Sequence, residues 1–319
     1  MSIDRVATAQ QSAYLLSQIN QAGAKLDQTN KQIASGVVAD TYAGFGDQTQ
    51  VLQATLSAQA RNSAYTTATS LASTQADMQD TQLSSLSDLA TQLKKAVSDA
   101  VANNDPTGLM AQVSSIFSQA TSILNSKDAN GDYIYAGGRT DTAPVSISSL
   151  SQLVSAPSTA SIFTNADSKK SVQVADGQTI SFGLTASDVG TALMQSLKDI
   201  ASFDAGGSGN FDNSTNLSGA QNSFLTSQIA ATGAVETGLT AVTAQNGNVY
   251  NQLQAATSQQ STSDTLYSSF IDKLQNTNMA DAATQLSLNQ TALQAALQVT
   301  STLNQLSLLN YMPVSGTAG

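Results

Sequence analysis

The sequence predicts a mainly α protein, in which both ends of the chain build a long antiparallel helical bundle, or rod, around a small β-containing central insert. Long runs without helix breakers are the first evidence. No Gly or Pro lies between Gly46 and Pro106, and none lies between Gly247 and Pro313; such runs are typical of long helices. The second is that apolar residues recur every three, four or seven positions near both ends, which places them on one helix face.

Breakers and turn signals divide the chain into five expected segments. Residues 1–45 form an N-terminal helical segment that belongs to the core of an assembly, and residues 46–130 form long helices of the rod. Residues 131–215 form the β-containing central insert, expected at the far tip of the rod. The C-terminal half mirrors the first half, because residues 216–275 form a further rod helix and residues 276–319 a second helical segment of the assembly core.

The insert carries the signal of a β-hairpin in SVQVADGQTISFGL. Val172 and Val174 alternate with polar residues before a central Asp-Gly. Ile180 and Phe182 resume the alternation after it. Asp-Gly between alternating apolar residues is a strong short-range signal for a hairpin, so we expect two antiparallel strands here.

Two shorter elements are predicted around the hairpin. Residues Tyr133–Tyr135 lie between glycines in NGDYIYAGG, which is typical of a short β-type run. Ser187 is placed to cap a short helix that reaches Ile200, because a Ser side chain accepts a hydrogen bond from the first helical turn.

The composition excludes many kinds of chemistry. Charged residues make up only 11% of the chain, and His, Cys and Trp are absent. Without an imidazole or a thiol, the catalytic triads that use them and most zinc and transition-metal sites are excluded. Glu236 is the single Glu, and no second acid lies near it in the sequence to form a general acid–base pair. We therefore expect no enzyme, no metal site and no cofactor.

Charge and hydropathy also exclude two classes of partner. A net charge of −10 and scattered Lys and Arg argue against nucleic-acid binding. No uncharged apolar run reaches the roughly 18 residues of a membrane span, and residues 1–30 show no pattern of a cleaved signal peptide.

Charged side chains avoid both ends of the chain. Residues 6–24 carry none, and none follows Asp281. Burying an unpaired charge is costly, whereas an amide or a hydroxyl can find a hydrogen-bond partner. We therefore expect neutral terminal helices that become ordered by packing against copies of the same chain; a flexible low-complexity tail is the alternative. The residues predicted to form this self-assembly interface are Leu15, Ile19, Leu26, Ile33, Leu286, Leu293, Leu297, Leu303, Leu306 and Leu309.

Three segments resemble the bacterial flagellin superfamily. The family's early helix and Ser-Gly break are similar to LDQTNKQIASG at residues 26–36, and its C-terminal signature is similar to NMADAATQLSLNQTALQAALQVTSTLNQLSLLNYM at residues 278–312. The branch of the family at the junction of hook and filament resembles NGDYIYAGGRTDTAPV at residues 130–145. Where the family often has paired aspartates after the break, this chain has Asp40 and Asp47 apart.

The resemblance implies a structural subunit of the bacterial flagellum that joins hook to filament. Such a subunit is exported through the flagellar type III apparatus without a cleaved signal peptide, and an export chaperone is among its expected partners. Outside the cell it would form a homo-oligomeric ring or helical tube that contacts hook and filament proteins. No cofactor and no membrane span are implied.

Two other functions stay open at the level of the sequence. The chain is alternatively the filament flagellin itself, the bulk polymer subunit for motility. More remotely, it is a flagellin-like cell-surface binding protein that presents its insert to a ligand. Copy number along the flagellum separates the first alternative from a junction protein, and removal of residues 146–186 tests the second.

Two remaining motifs are interpreted structurally. DANGDY at residues 128–133 echoes the start of a calcium loop, but Tyr133 and Arg139 stand where an EF-hand needs Gly and a bidentate Glu, so a turn is expected. The stripe of Phe270, Ile271 and Leu274 is interpreted as bundle core rather than as a ligand site.

Overall fold

The structure is a computed structural model that describes the backbone of residues 2–309 and the side chains of residues 10–303. Within these residues most of the chain is helical, and the sheet is a single pair of antiparallel strands. The predicted mainly α fold with a small β-containing insert is therefore confirmed. The helices are α1 (Ser2–Ser35), α2 (Thr49–Asn103), α3 (Leu109–Leu124), α4 (Leu150–Ser155), α5 (Ala186–Ala205), α6 (Gly219–Gln275) and α7 (Met279–Leu309), and the strands are β1 (Lys170–Ala175) and β2 (Gln178–Phe182).

The chain forms two compact units. The terminal unit combines the two chain ends, Met1–Ala60 and Asp264–Gly319, and the central unit is Arg61–Ser263. Helices α1 and α7 belong to the terminal unit, whereas α3, α4, α5 and the two strands belong to the central unit. The long helices α2 and α6 each contribute residues to both units.

The central unit contains an extensive apolar core. Leu86, Leu89 and Leu93 lie three and four residues apart on α2, so they share one helix face, and this face packs against α3, α5 and the start of α6. Phe117 on α3 and Leu197 on α5 are fully buried in the same cluster. This unit therefore has an apolar core of its own.

The hairpin forms as predicted and packs on the long helices. Val172 of β1 lies opposite Ile180 of β2. Val172 and Val174 are buried, and they form a second apolar cluster with residues that include Ala72 of α2 and Leu253 of α6. The alternation of the strand thus places its apolar face on the helices and leaves its polar face exposed.

The cap of α5 differs from the prediction. The hydroxyl of Thr185 accepts a hydrogen bond from the backbone N–H of Asp188, and the Asp188 carboxylate accepts one from the backbone N–H of Thr185, both at 3.3 Å. This reciprocal pair is a capping box. The prediction of a Ser187 cap is therefore wrong, because Ser187 lies inside the first turn, where its N–H donates to Asn165.

The predicted β-type run at residues Tyr133–Tyr135 is a buried turn instead. Among the described residues, its only β-pairing is an isolated bridge between Tyr133 and Lys127. The backbone of Gly137 then turns with φ of 64°, and a Cβ there would lie 2.6 Å from the carbonyl oxygen of Ala166. This close approach requires Gly, and it bends the chain before the run can extend into a ladder.

Neutral side chains connect α2 to α6 within the central unit. The amide of Asn246 donates to the carbonyl oxygen of Ala76 at 2.9 Å. The amide of Gln260 donates to the Thr69 hydroxyl at 2.9 Å and to the carbonyl oxygen of Val174 in β1 at 2.8 Å. Asn246, Gln260 and Thr69 are buried, so these bonds specify which turns of the two antiparallel helices face each other and where the hairpin attaches.

Two helices share the run without Gly or Pro that follows Gly247. Helix α6 ends at Gln275 and α7 begins at Met279, although no Gly or Pro lies between them. The side-chain oxygen of Asn278 accepts a hydrogen bond from the N–H of Ala280 at 3.1 Å. Asn is among the best helix caps, so a capping residue rather than a breaker divides this run.

The hydroxyl of Tyr135 allows a test of how an unpaired polar group in the core affects stability. Tyr135 is fully buried, and among the described residues its hydroxyl has no hydrogen-bond partner; burial also raises the pKa of this phenol. Because an unpaired buried hydroxyl costs about 1–3 kcal/mol, we expect Tyr135→Phe to leave the free energy of unfolding unchanged or to raise it by about 1 kcal/mol. Urea unfolding of the two proteins measures the difference.

Tyr65→Phe is the matched control for this test. The Tyr65 hydroxyl donates to the Asp176 carboxylate at 2.6 Å on the surface, and that bond raises the pKa of Tyr65. Loss of this bond is expected to lower stability slightly. A larger loss for Tyr135→Phe than for Tyr65→Phe would contradict the interpretation.

Candidate self-assembly surface

The two ends of the chain pair directly in the terminal unit. Helix α1 packs against α7, and the amide of Asn289 in α7 donates to the hydroxyl of Thr29 in α1 at 3.1 Å. Past the end of α1, the N–H of Val38 donates to the carbonyl oxygen of Gln275 at 2.8 Å. Residue numbers rise along one helix as they fall along the other, so the pair is antiparallel.

The predicted interface residues lie mostly on the seam of this helix pair. The seam positions of α7 recur at alternating intervals of four and three residues, and small or polar side chains occupy several of them. Leu297 is 51% exposed, and the side chains of Leu306 and Leu309 lie outside the described residues. The half-buried residues are Leu15, Ile19, Leu26, Ile33, Leu286, Leu293 and Leu303.

The selection of leucines and isoleucines from the sequence missed the most buried seam positions. Among the described residues of the terminal unit, Thr29 and Ala282 are 6% and 5% exposed, and Leu52 is fully buried. The continuous spacing of three and four residues would have included Thr29 and Ala282. Small side chains at a seam let two helix backbones approach closely, so they are buried more completely than the larger residues beside them.

Exposed large apolar side chains are concentrated in the terminal unit. Of the described residues, every strongly exposed large apolar side chain except Leu71 lies in this unit. Phe270 is 48% exposed, so its assignment to the bundle core was wrong. Full burial of one such side chain contributes about 1.5–3 kcal/mol, which makes this surface a strong candidate for contact with another molecule. The exposed residues are Tyr14, Leu16, Tyr42, Val51, Leu266, Phe270, Met279, Leu288, Leu297 and Val299.

The polar residues on α7 could be buried at little cost in free energy. After Asp281 the helix has no charged side chain. The hydroxyl of Thr291 donates to the carbonyl oxygen of Ser287 at 2.9 Å, and that of Thr302 donates to Gln298 at 2.9 Å. Because these hydroxyl protons already have partners within the helix, covering this face would leave fewer unpaired donors than covering free hydroxyls.

The described residues give little support for metal binding or for acid–base catalysis. No group of three or more acidic side chains that could hold a metal ion occurs among them. The carboxylate of Asp128 accepts from the backbone N–H groups of Asn130 and Asp132 at 2.8 and 3.1 Å, so DANGDY forms a turn, as predicted. Glu236 pairs with Lys94 at 2.7 Å, and this hydrogen bond lowers the pKa of the carboxyl.

No described helix combines the length and the apolar character that crossing a bilayer requires. The exposed apolar residues of the terminal unit are instead separated along each helix by amides and hydroxyls. Such alternation suits contact with another amphipathic helix better than contact with hydrocarbon.

The C-terminal helices are similar to a known protein family. Residues 229–312 match the bacterial flagellin C-terminal helical region. This match covers most of α6 and all of α7, and therefore one partner in the α1–α7 pair. No curated protein matches the sequence.

Solved structures share the fold at low sequence identity. A provisionally assigned flagellar hook-associated protein from Vibrio parahaemolyticus superposes with a TM-score of 0.57 and 16% identity, covering 72% of this chain and 97% of that chain. Bacillus cereus FlgL superposes with a TM-score of 0.51 and 13% identity, covering 69% of this chain and 98% of the other. These likenesses extend the similarity in fold over more than two thirds of the chain.

Adjacent alanines at the start of α7 test the pairing with α1. Ala282 is 5% exposed, whereas Ala283 is exposed. We expect Ala282→Asp to weaken the α1–α7 pair by about 1–3 kcal/mol or more, because it buries an unpaired charge, and Ala283→Asp to leave the pair intact. Helix content is compared by circular dichroism in trimethylamine N-oxide, which favours buried states. Equal helix content in the two variants would contradict the assigned seam.

Proposed function

We propose that this protein is a structural subunit of the bacterial flagellum, which assembles with copies of itself through its terminal helices and joins hook to filament. The proposal rests on the exposed apolar residues of the terminal unit. The helices at the two chain ends are neutral, so their polar groups can be buried without burying charge. The flagellin C-terminal match at residues 229–312 supports the flagellar assignment. The fold shared with FlgL and with the hook-associated protein supports the junction role.

The two units differ in how completely they bury their apolar side chains, and this difference supports self-assembly. The central unit buries its own apolar residues, whereas the terminal unit leaves Leu266, Leu288 and Leu297 about half exposed or more. Repeated burial of this surface against the next copy would produce a ring or a helical tube, since contacts between unlike patches close into rings or continue as filaments. The insert with the hairpin would then lie on the outside of the assembly.

The proposed function implies an export route for the chain and a set of protein partners. Export through the flagellar type III apparatus delivers an unfolded chain to the outside of the cell, and an export chaperone covers its apolar terminal segments until then. Hook and filament proteins are the neighbours at either end of the assembled zone. The role is structural, so no substrate and no cofactor are assigned.

Exposed leucines in the two units provide a test of assembly. Leu288 and Leu297 are 58% and 51% exposed in the terminal unit, and Leu71 is 63% exposed in the central unit. We expect Leu288→Asp and Leu297→Asp each to raise the protein concentration needed for polymerisation by about tenfold or more, which corresponds to about 1.4 kcal/mol per contact. Sedimentation of polymer from monomer measures this concentration.

Leu71→Asp is the matched control, because it makes the same exchange at an exposed site outside the proposed interface. All three variants should keep the thermal unfolding temperature of the central unit. Polymerisation that is unchanged in Leu288→Asp and Leu297→Asp, or impaired equally in Leu71→Asp, would contradict assembly through the terminal unit.

The filament flagellin is the second candidate, because the family match at residues 229–312 is to the flagellin C-terminal region. Immunogold labelling of intact flagella separates the two. A single band at the tip of the hook supports the junction protein, and a label along the whole filament supports flagellin. A deletion strain that keeps its hooks and releases flagellin into the medium would support the junction role independently.

A further inference from the structure

The long helices bury different kinds of side chain along their length. Between residues 83 and 100, every buried side chain of α2 is apolar. Between residues 61 and 79, no buried apolar side chain of α2 is larger than alanine, and the buried residues are Asn62, Thr69, Ala72, Ala76 and Gln79. The facing stretch of α6, residues 246–263, adds Leu253 as its one buried apolar side chain. This part of the helix pair therefore has little apolar contact of its own.

The hairpin supplies the missing apolar contact. Val172, Val174 and Phe182 are buried, and they form one cluster with Leu253 and the two buried alanines of α2. Of the buried members of this cluster that are larger than alanine, only Leu253 belongs to a long helix. The cluster is separate from the larger core around Leu86. Without the hairpin, the two helices would keep their polar contacts here and lose most of their apolar ones.

Polar bonds attach the hairpin to both helices. The amide of Gln260 in α6 donates to the carbonyl oxygen of Val174 and also to a hydroxyl of α2, so one side chain links all three elements. At the hairpin turn, the Asp176 carboxylate accepts a hydrogen bond from the Tyr65 hydroxyl at 2.6 Å and lies 3.9 Å from Nε of Arg61. Arg61 is the first residue of the central unit, so the hairpin is attached as far as the end of that unit.

The base of the hairpin is anchored on the larger core instead. The amide nitrogen of Gln79 donates to the carbonyl oxygen of Leu184 at 3.3 Å, and the amide oxygen accepts from the N–H of Leu184 at 3.2 Å. Gln79 is fully buried, and Leu184 belongs to the larger core. Gly183, between this anchor and β2, has φ of 84°, a conformation that Gly adopts without strain. The chain can therefore change direction at Gly183 while the anchor stays in place.

We propose that the hairpin, residues 170–182, is a strap that closes the α2–α6 pair at this end of the central unit. When the strap detaches, residues 61–76 of α2 and residues 246–263 of α6 separate, and their buried amides bind water instead of each other. The core around Leu86 stays folded, because its apolar cluster does not include the strap. The result is a local opening within a folded protein.

The polar residues between the helices allow this opening. Asn62, Asn246 and Gln260 each donate a hydrogen bond from one long helix to the other. The net contribution of such a bond is small, because water replaces the partner when the bond breaks. Water offers no such replacement for the apolar contacts of the larger core. With the strap closed, order in the free monomer extends to Arg61, and with the strap open it ends near Gln79. The inference concerns the free monomer, so it stands or fails separately from the proposed assembly.

Adjacent residues of β1 provide a matched pair of variants. Val172 is buried, whereas Ser171 is exposed on the opposite face of the strand. Val172→Asp places a carboxylate against the helices and should detach the strap, and Ser171→Asp places the same charge in water. Val172→Ala weakens the same contact more mildly. Hydrogen exchange of the full-length protein, as dilute monomer, is measured by mass spectrometry for peptides from residues 61–76, 83–100 and 246–263.

In the parent and in Ser171→Asp, all three stretches should be protected, and residues 83–100 most strongly. In Val172→Asp, exchange at residues 61–76 and 246–263 should become about tenfold faster or more, whereas exchange at residues 83–100 should stay within about twofold of the parent. Val172→Ala should show the same pattern with a smaller change.

Two results would overturn the proposal. One is exchange at the rate of the parent at residues 61–76 in Val172→Asp, since the helices would then stay closed without the strap. The other is equal acceleration of residues 61–76 and 83–100 in either Val172 variant, since the strap and the core would then unfold together. Polymerisation is not part of this readout, so failure of the assembly proposal would be seen separately.

Discussion

The antiparallel return of the C-terminal half of the chain onto the N-terminal half is the constraint on which this structure depends. In the central unit, Lys94 meets Glu236, and Asn246 reaches the backbone of Ala76. In the terminal unit, Asn289 meets Thr29. The insert between the two long helices crosses from one to the other and packs on their surface.

Neutral polar side chains align the long helices, as ion pairs do in many long helical proteins. Buried amides such as Gln260 bind backbone and hydroxyl groups across the helices, and exposed threonines such as Thr291 bind their own helix. A seam of this kind specifies alignment without large stability. It also leaves helix faces that another copy could cover without burying charge, since few charged residues lie at the two ends.

Regular patterns in the sequence predicted the elements whose formation depends on the spacing of neighbouring residues along the chain. The alternation around Val172 and the Asp-Gly turn predicted the hairpin, and the runs without breakers predicted the long helices. The sequence was less informative where a single contact decides. Asn278 divides a run that contains no breaker through a bond to Ala280, and Thr185 rather than Ser187 caps α5 through Asp188. Gly137 bends a run with β-type residues where it approaches Ala166, which is distant in the sequence.

The candidate site was predictable only in part. Apolar spacing located the seam, but it favoured large residues and overlooked Thr29 and Ala282, which are buried, and Asn289, which donates a hydrogen bond to Thr29. Phe270 matched the pattern of a core residue and is nevertheless half exposed. Periodicity shows which face of a helix is apolar, and it does not show whether the covering partner is in the same chain or in another copy.

Hydrogen exchange of the free and the assembled protein tests the central claim most directly. The central unit has its own apolar core, whereas the described part of the terminal unit buries almost none. Amide protection should therefore be high for residues 83–100 in both states, and it should appear at residues 10–35 and 279–303 only on assembly. Strong protection of the terminal helices in the free monomer, or no gain in protection on assembly, would contradict the account.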